Sequence, residues 1–108
     1  MDVFKLKDFK GNWFIGAFRP TILFTNQFEI ALVKHTKGQK WDFHTHKIAT
    51  EYNLVVKGRI KMHKKVMRKG DIFVLYPDEV ADPEFLTDCE ILVIKIPSVK
   101  GDKYVIQS

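Results

Sequence analysis

Hydrophobic residues occur along this chain in short runs rich in β-branched and aromatic side chains, with Gly, Pro, Asn or Asp between them. The runs follow one another at intervals of roughly 8–12 residues, which is typical of strands joined by turns. In the second run, alternation places Phe28, Ile30 and Leu32 on one face. We predict seven strands, at residues 13–18, 28–35, 41–46, 51–56, 59–62, 72–75 and 90–96.

The prolines and the lack of a helical pattern indicate an all-β chain. Pro20, Pro77, Pro83 and Pro97 all lie between the predicted strands, where a missing N–H does least harm. No window combines apolar positions at helical spacing with capping residues at both ends. We therefore predict an all-β fold, built as a small barrel or a double-sheet jelly roll.

The two ends of the chain are interpreted as arms of the same domain. Residues 1–9 and residues 104–106 are rich in apolar side chains, and a turn at 101–102 precedes the second segment. Such an arm pairs with a bare sheet edge, either of its own chain or of a partner. We predict a single domain over residues 1–108, with the barrel at about 12–97, and we expect a homodimer.

The composition is that of a globular domain. The chain has 108 residues and 12.6 kDa, with 45% hydrophobic and 29% charged residues, which excludes a disordered chain. No apolar run approaches the ~18 residues of a membrane span, and the first residues lack the apolar core of a secretory signal. The single cysteine, Cys89, has no partner for an internal disulfide. We expect a cytoplasmic protein with a buried Cys89 and no membrane partner.

The positive charge is concentrated in one segment. The formal net charge is +5, and no carboxylate occurs between Tyr52 and Gly70. Seven cations lie in that segment: Lys57, Arg59, Lys61, Lys64, Lys65, Arg68 and Lys69. We predict a hairpin with its tip near His63 and a solvated basic face. The alternative is a surface that binds phosphate, but without interleaved aromatic residues we do not expect a nucleic-acid partner.

Two histidines and a glutamate have the spacing of a metal site. His44 and His46 are two residues apart, so on one strand both rings point to the same side. Four residues then turn the chain, and Glu51 opens the returning strand beside the two rings. Two imidazoles and one carboxylate hold Fe, Mn, Zn or Ni as divalent ions and leave coordination positions open for water or substrate.

This pattern resembles the first sequence motif of the cupin superfamily: G, five residues, H-x-H, four residues, E, six residues, G. Every fixed position is present, as Gly38, His44, His46, Glu51 and Gly58. The stretch is similar to small single-domain, stand-alone cupins. The resemblance implies a jelly-roll barrel, a double-stranded β-helix, with a divalent transition metal as cofactor.

The second cupin motif is degenerate. Gly70 and Pro77 stand in their places, but Glu79 replaces the second glycine and Leu86 replaces the asparagine. Asp82 replaces the histidine that the resemblance implies as fourth ligand. Three possibilities follow: Asp82 is an oxygen ligand, three residues hold the metal and water completes its shell, or the site is degraded.

The mouth of such a barrel is lined by inward residues near the metal. We predict Asn53 on the face of Glu51, as a ligand contact or as support for Glu51. Apolar walls are expected from Trp41, Phe43 and Tyr76. His35 and His63 are interpreted as solvated loop histidines outside the site.

The site favours two classes of function. The first is a metal-dependent enzyme, of the dioxygenase or isomerase type among cupins, that acts on a small sugar- or carboxylate-like molecule. The second is a non-catalytic module that binds a sugar or another small molecule, with a structural metal or none. A closed cavity beside an open coordination position would favour the enzyme. An exposed metal whose ligands are all protein residues would favour the non-catalytic module.

Overall fold

The computed structural model describes residues 1–106, and their strands confirm the predicted all-β fold. Two 3₁₀ turns, at Leu6–Asp8 and Lys10–Asn12, precede the strands. Eleven strands follow in this part of the chain: β1 Trp13–Gly16, β2 Leu23–Phe24, β3 Glu29–His35, β4 His44–Thr45, β5 Thr50–Lys57, β6 Arg59–Met62, β7 Lys65–Arg68, β8 Ile72–Leu75, β9 Glu84–Phe85, β10 Cys89–Ile96 and β11 Tyr104–Val105.

The largest sheet has six strands in the order β2-β1-β3-β10-β5-β8. The long strand β10 lies at its centre and pairs antiparallel with both β3 and β5. Alternation along β5 turns Glu51, Asn53 and Val55 to the inner face, and Tyr52 and the other even-numbered positions to the outer face. This sheet therefore presents Glu51 to the interior.

Two smaller sheets lie opposite. One has the order β7-β6-β9, and the other pairs β11 with β4. A bridge between His44 and Ala81 extends the second pair. The hydrophobic core fills the space between these layers: Val55, Ile60, Met62, Leu75, Ala81, Phe85, Cys89, Ile91 and Val93. Burial of Cys89, as predicted from the sequence, is confirmed.

Most strand boundaries agree with the predictions, and those at 59–62 and 72–75 agree at both ends. The strand predicted at 41–46 is confirmed only at His44–Thr45, and its other four positions lie outside the strand. Trp41 instead packs edge-on against the His35 ring, with centroids 4.9 Å apart. Strands β2 and β9 were not predicted, whereas β7 is the second strand of the hairpin predicted around His63 and β11 lies in the predicted C-terminal arm.

The two arms behave differently. Residues 1–9 form no strand and end in the first 3₁₀ turn. The C-terminal arm pairs with its own chain: Tyr104 lies opposite Thr45 and Val105 opposite His44. The arm therefore covers one edge of β4, the strand that contains His44 and ends just before His46. None of the helices in residues 1–106 is long and apolar enough to cross a membrane.

Candidate metal centre

Three of the predicted ligands come together between β4 and β5. His44 lies on β4, His46 is the first residue after that strand, and Glu51 is the second residue of β5. One ligand atom from each side chain lies within 4.8 Å of the other two. Both histidines are buried, and the Glu51 side chain is only 12% exposed. The hairpin predicted from the spacing therefore places two imidazoles and one carboxylate around a common point.

The orientation of the His46 ring leaves its Nε2 atom without a hydrogen-bond partner among the described residues. Nδ1 of His46 lies 2.6 Å from the backbone oxygen of Asp102. Because a carbonyl oxygen only accepts, Nδ1 carries a hydrogen, and in the neutral form of the ring Nε2 presents a bare lone pair. Nε2 is buried and makes no hydrogen bond within the described residues. A buried acceptor without a partner is costly, and a bound cation removes that cost.

Glu51 faces this lone pair. Its Oε2 lies 3.2 Å from Nε2 of His46, without the alignment of a hydrogen bond. Ligand atoms about 2.0–2.2 Å from a common ion lie roughly 3.0–3.4 Å apart at near-octahedral or tetrahedral angles. The pair is therefore spaced for a shared metal ion.

His44 completes the donor set. Its Nδ1 lies 3.1 Å from the backbone oxygen of Asp42, which directs Nε2 toward the other two ligands. Burial lowers the pKa of His44, and the nearby Lys103 ammonium adds to that effect. The ring is therefore neutral near neutral pH, as a metal ligand requires. The three residues fit a divalent transition metal.

Asp102 holds the turn that joins the ligands. Its carboxylate accepts hydrogen bonds from the backbone N–H groups of Lys47, Ile48 and Ala49, at 2.9–3.2 Å. Burial alone raises the pKa of Asp102, but these three donors outweigh it and hold the pKa below 3.8. Sequence reasoning noted Asp102 only as part of a turn, because nothing in the local pattern shows that its partners lie more than 50 residues away.

A cavity opens beside the metal centre. Its volume is about 500 Å³, within the usual range for small-molecule sites. His44 and Glu51 line it, together with two of the predicted pocket residues, Trp41 and Asn53. Asn53 is buried and its Nδ2 lies 3.4 Å from the backbone oxygen of Glu51. Two of the three ligands are thus accessible from the cavity.

Three other predicted site residues lie elsewhere. The Oδ1 of Asp82 accepts a hydrogen bond from the backbone N–H of His63 at the hairpin tip, 2.9 Å away. Asp82 is not one of the three side chains grouped around the metal position. Phe43 lines a neighbouring depression, which also contains Asp82 and shares Trp41 and Phe85 with the cavity. Tyr76 is 58% exposed, on the loop after β8.

The two remaining histidines differ from each other. The interpretation of His35 as a solvated loop residue is wrong, because it ends β3 and its ring stacks on Phe85 with centroids 4.1 Å apart. Desolvation lowers the pKa of His35, and the ring lines the cavity. His63 does lie at the tip of the β6–β7 hairpin, where its φ of 49° is that of a tight turn. The seven cations of this segment are all exposed, as predicted.

No protein-family model matches the sequence, and no curated protein matches it significantly. Solved structures do match the fold. A conserved protein with a double-stranded β-helix domain from Klebsiella pneumoniae superposes with a TM-score of 0.72 and 16% identity, over 98% of this chain and 92% of that one. A cupin-2 domain protein from Shewanella frigidimarina superposes with a TM-score of 0.56 and 21% identity. That match covers 67% of this chain and 72% of the Shewanella protein.

The DMSP lyase DddQ from Ruegeria pomeroyi is also similar, with a TM-score of 0.73 and 15% identity. The match covers 86% of this chain but 49% of the lyase, so the chain spans about half of that enzyme. At these identities the likeness concerns the fold, and fold alone does not assign a reaction. The chain has the double-stranded β-helix fold of a small cupin.

Proposed function

We propose that the protein binds a divalent transition metal through His44, His46 and Glu51, and binds or transforms a small molecule at that metal. One observation carries the proposal. The buried Nε2 of His46 and the Oε2 of Glu51 face each other at 3.2 Å, and in the neutral form of the His46 ring both are acceptors. A divalent cation between them satisfies both.

The chain's own residues prepare the site for this role. The backbone oxygen of Asp102 fixes the tautomer of His46, and that of Asp42 fixes His44. A bound metal supplies Lewis acidity toward an oxygen of the ligand. The apolar walls around the cavity, among them Trp41 and Phe85, exclude water from the bound molecule. Fe, Mn, Zn and Ni all suit this donor set.

Access to the ligands favours an enzyme over a purely structural metal. His44 and Glu51 line a cavity of about 500 Å³, and three protein ligands leave coordination positions for water or substrate. The fold likeness to a DMSP lyase supports a small-molecule substrate. A metal-dependent enzyme of the dioxygenase or isomerase type is the reaction class we propose, acting on a sugar- or carboxylate-like molecule in the cytoplasm. A binding module that uses the same centre is the alternative.

Calorimetric titration of the metal-free protein with Zn²⁺ tests the proposed centre. We expect one equivalent to bind the wild type, and His46→Ala to abolish binding. Asp82→Ala is the matched control, because its carboxylate lies at the hairpin tip, and it is expected to bind Zn²⁺ as the wild type does. Equal losses in the two variants would show that Asp82 is a ligand and that the three-residue centre is wrong.

A further inference from the structure

The charge lining the cavity is unbalanced. Glu51 is the one carboxylate among its described lining residues, whereas three lysines line it: Lys34, Lys95 and Lys103. Lys34 is paired with Glu90 at 3.8 Å. When a divalent ion neutralises Glu51, the two other ammonium groups leave the cavity with an excess of positive charge.

Lys95 lies on the inner face of the large sheet. On β10 it stands opposite Glu51 of β5 and Glu29 of β3, yet in residues 1–106 no carboxylate oxygen lies within 4.0 Å of its Nζ. The ammonium instead lies 4.9 Å from the centroid of the Trp13 ring. A half-buried cation held over an indole, without an ion pair, is available to an anionic ligand.

Among the described residues, Lys103 is the second unpaired lysine that lines the cavity. It follows Asp102, and its Nζ lies 4.8 Å from the centroid of the Trp41 ring. In the described part of the chain it also has no carboxylate oxygen within 4.0 Å. Both tryptophans line the cavity, so each ammonium group lies over an indole of the cavity wall. Lys95 stands opposite Glu51 in the sheet, and Lys103 follows the residue whose backbone oxygen contacts His46, so both lysines lie near the metal ligands.

On the basis of the function proposed above, we propose that the cavity selects a small organic carboxylate, with Lys95 and Lys103 as the residues that determine this specificity. A neutral polyol offers neither ammonium group a direct ion pair, whereas a carboxylate pairs with them and coordinates the metal with a second oxygen. The volume of about 500 Å³ suits a small molecule, and the apolar walls suit one with a hydrocarbon body.

Malonate is a suitable probe, and malonamide is its uncharged analogue. We would titrate ¹⁵N-labelled, Zn²⁺-loaded protein with each and follow the backbone amide shifts, for the wild type, Lys95→Gln and Lys103→Gln. Lys69→Gln is the control, because it removes the same charge from the exposed hairpin outside the cavity. The spectrum verifies the fold of each variant, and elemental analysis verifies its zinc content.

We expect malonate to bind the wild type at least about tenfold more tightly than malonamide. Each cavity variant is expected to bind malonate about five- to tenfold more weakly with unchanged zinc content, and Lys69→Gln to match the wild type. Equal affinity for the two probes, no malonate binding to the wild type, or cavity variants that match Lys69→Gln would overturn the proposal. If the wild type takes up no zinc, the proposed metal centre is contradicted, which is a separate result. The role of the lysines is then tested on the metal-free protein, by comparing malonate with malonamide and the cavity variants with Lys69→Gln.

Discussion

Asp102 acts on the metal centre through both its main chain and its side chain. The backbone oxygen accepts from Nδ1 of His46, and the carboxylate accepts from three N–H groups of the turn between the ligands. The residue is 6% exposed, so water does not compete freely for these bonds. Asp102 thus fixes the tautomer of one ligand and the path of the chain to the next.

We predict that Asp102→Asn destabilises the metal-free protein near neutral pH by about 2 kcal/mol, because charge-assisted hydrogen bonds to the turn become weaker. The three N–H donors hold the folded-state pKa of Asp102 below 3.8. The ionised carboxylate therefore stabilises the folded state fully above pH 3.8, and this contribution is lost as pH falls through the lower folded-state pKa. Thermal unfolding of both proteins across this range measures the difference.

The control is Asp2→Asn, an exposed aspartate at the start of the chain. It is expected to unfold like the wild type at every pH. The gap between wild type and Asp102→Asn should narrow below pH 3.8. A gap that stays constant at low pH would contradict the role of the ionised carboxylate.

At the scale of single residues, the sequence predicted what depends on local spacing. His44, His46 and Glu51 were identified because a strand and a four-residue turn place them together. Asp102 was not identified, because its contact with His46 joins positions 56 residues apart. Asp82 was considered as a ligand because of its position in the second motif. The hydrogen bond that its carboxylate accepts at the hairpin tip is a tertiary contact, which a motif does not show.

At the scale of elements, the short strand β4 depends on its neighbours for its position. It has two residues, and both are held from outside the hairpin: Val105 and Tyr104 of β11 on one side, and Ala81 opposite His44 on the other. The backbone N–H of Ile106 continues this pairing to the oxygen of Phe43, at 2.7 Å. The position of the His-x-His pair therefore depends on the C-terminal arm.

We predict that Ile106→Pro weakens Zn²⁺ affinity several-fold without unfolding the protein, because proline lacks the N–H that binds the oxygen of Phe43. Calorimetric titration measures the affinity, and circular dichroism verifies the sheet content. Ile106→Ala keeps the N–H and serves as the matched control, with an affinity close to that of the wild type. Equal affinities for the proline variant and the wild type would show that the arm does not position the ligands.

Element prediction succeeded where a strand is long enough to show its own alternation. The strands at 59–62 and 72–75 were predicted to the residue. Strands β2, β9 and β11 have two residues each, too few to display a period, and their pairing comes from tertiary contacts. The C-terminal arm was predicted to pair, but only the structure shows that its partner is β4 of the same chain.

At the scale of the whole molecule, the outer face of the large sheet is apolar. Ile94 of β10 stands between Ile30 of β3 and Tyr52 of β5, and Tyr52 stands opposite Val74 of β8. Ile72 at the sheet edge is 69% exposed. Contiguous apolar surface of this kind marks association sites. The homodimer expected from the sequence remains a prediction, and this face is where we place it.

We predict that light scattering on the eluting protein gives twice the 12.6 kDa chain mass. Ile72→Lys introduces an unpaired charge into the apolar face, so it should shift the mass to that of one chain. Val66→Lys is the control, because Val66 is also exposed but lies on β7 of another sheet. A wild-type mass of one chain would contradict the dimer.

The fold class was predictable because the whole chain carries the strand and turn pattern. The likeness to solved double-stranded β-helix structures confirms that class. The cavity was predicted in part. Asn53 was predictable because it lies on the same strand face as Glu51. The lining by Lys95 and Lys103 depends on how β10 and the C-terminal arm pack, which the local sequence pattern does not show.

The metal content of the purified, untagged protein tests the central claim most directly. Inductively coupled plasma mass spectrometry should find about one equivalent of Fe, Mn, Zn or Ni in the wild type. The double variant His44→Ala/His46→Ala should lose it while keeping its sheet content. A wild-type protein that is free of metal and also takes up none when it is added would contradict the account.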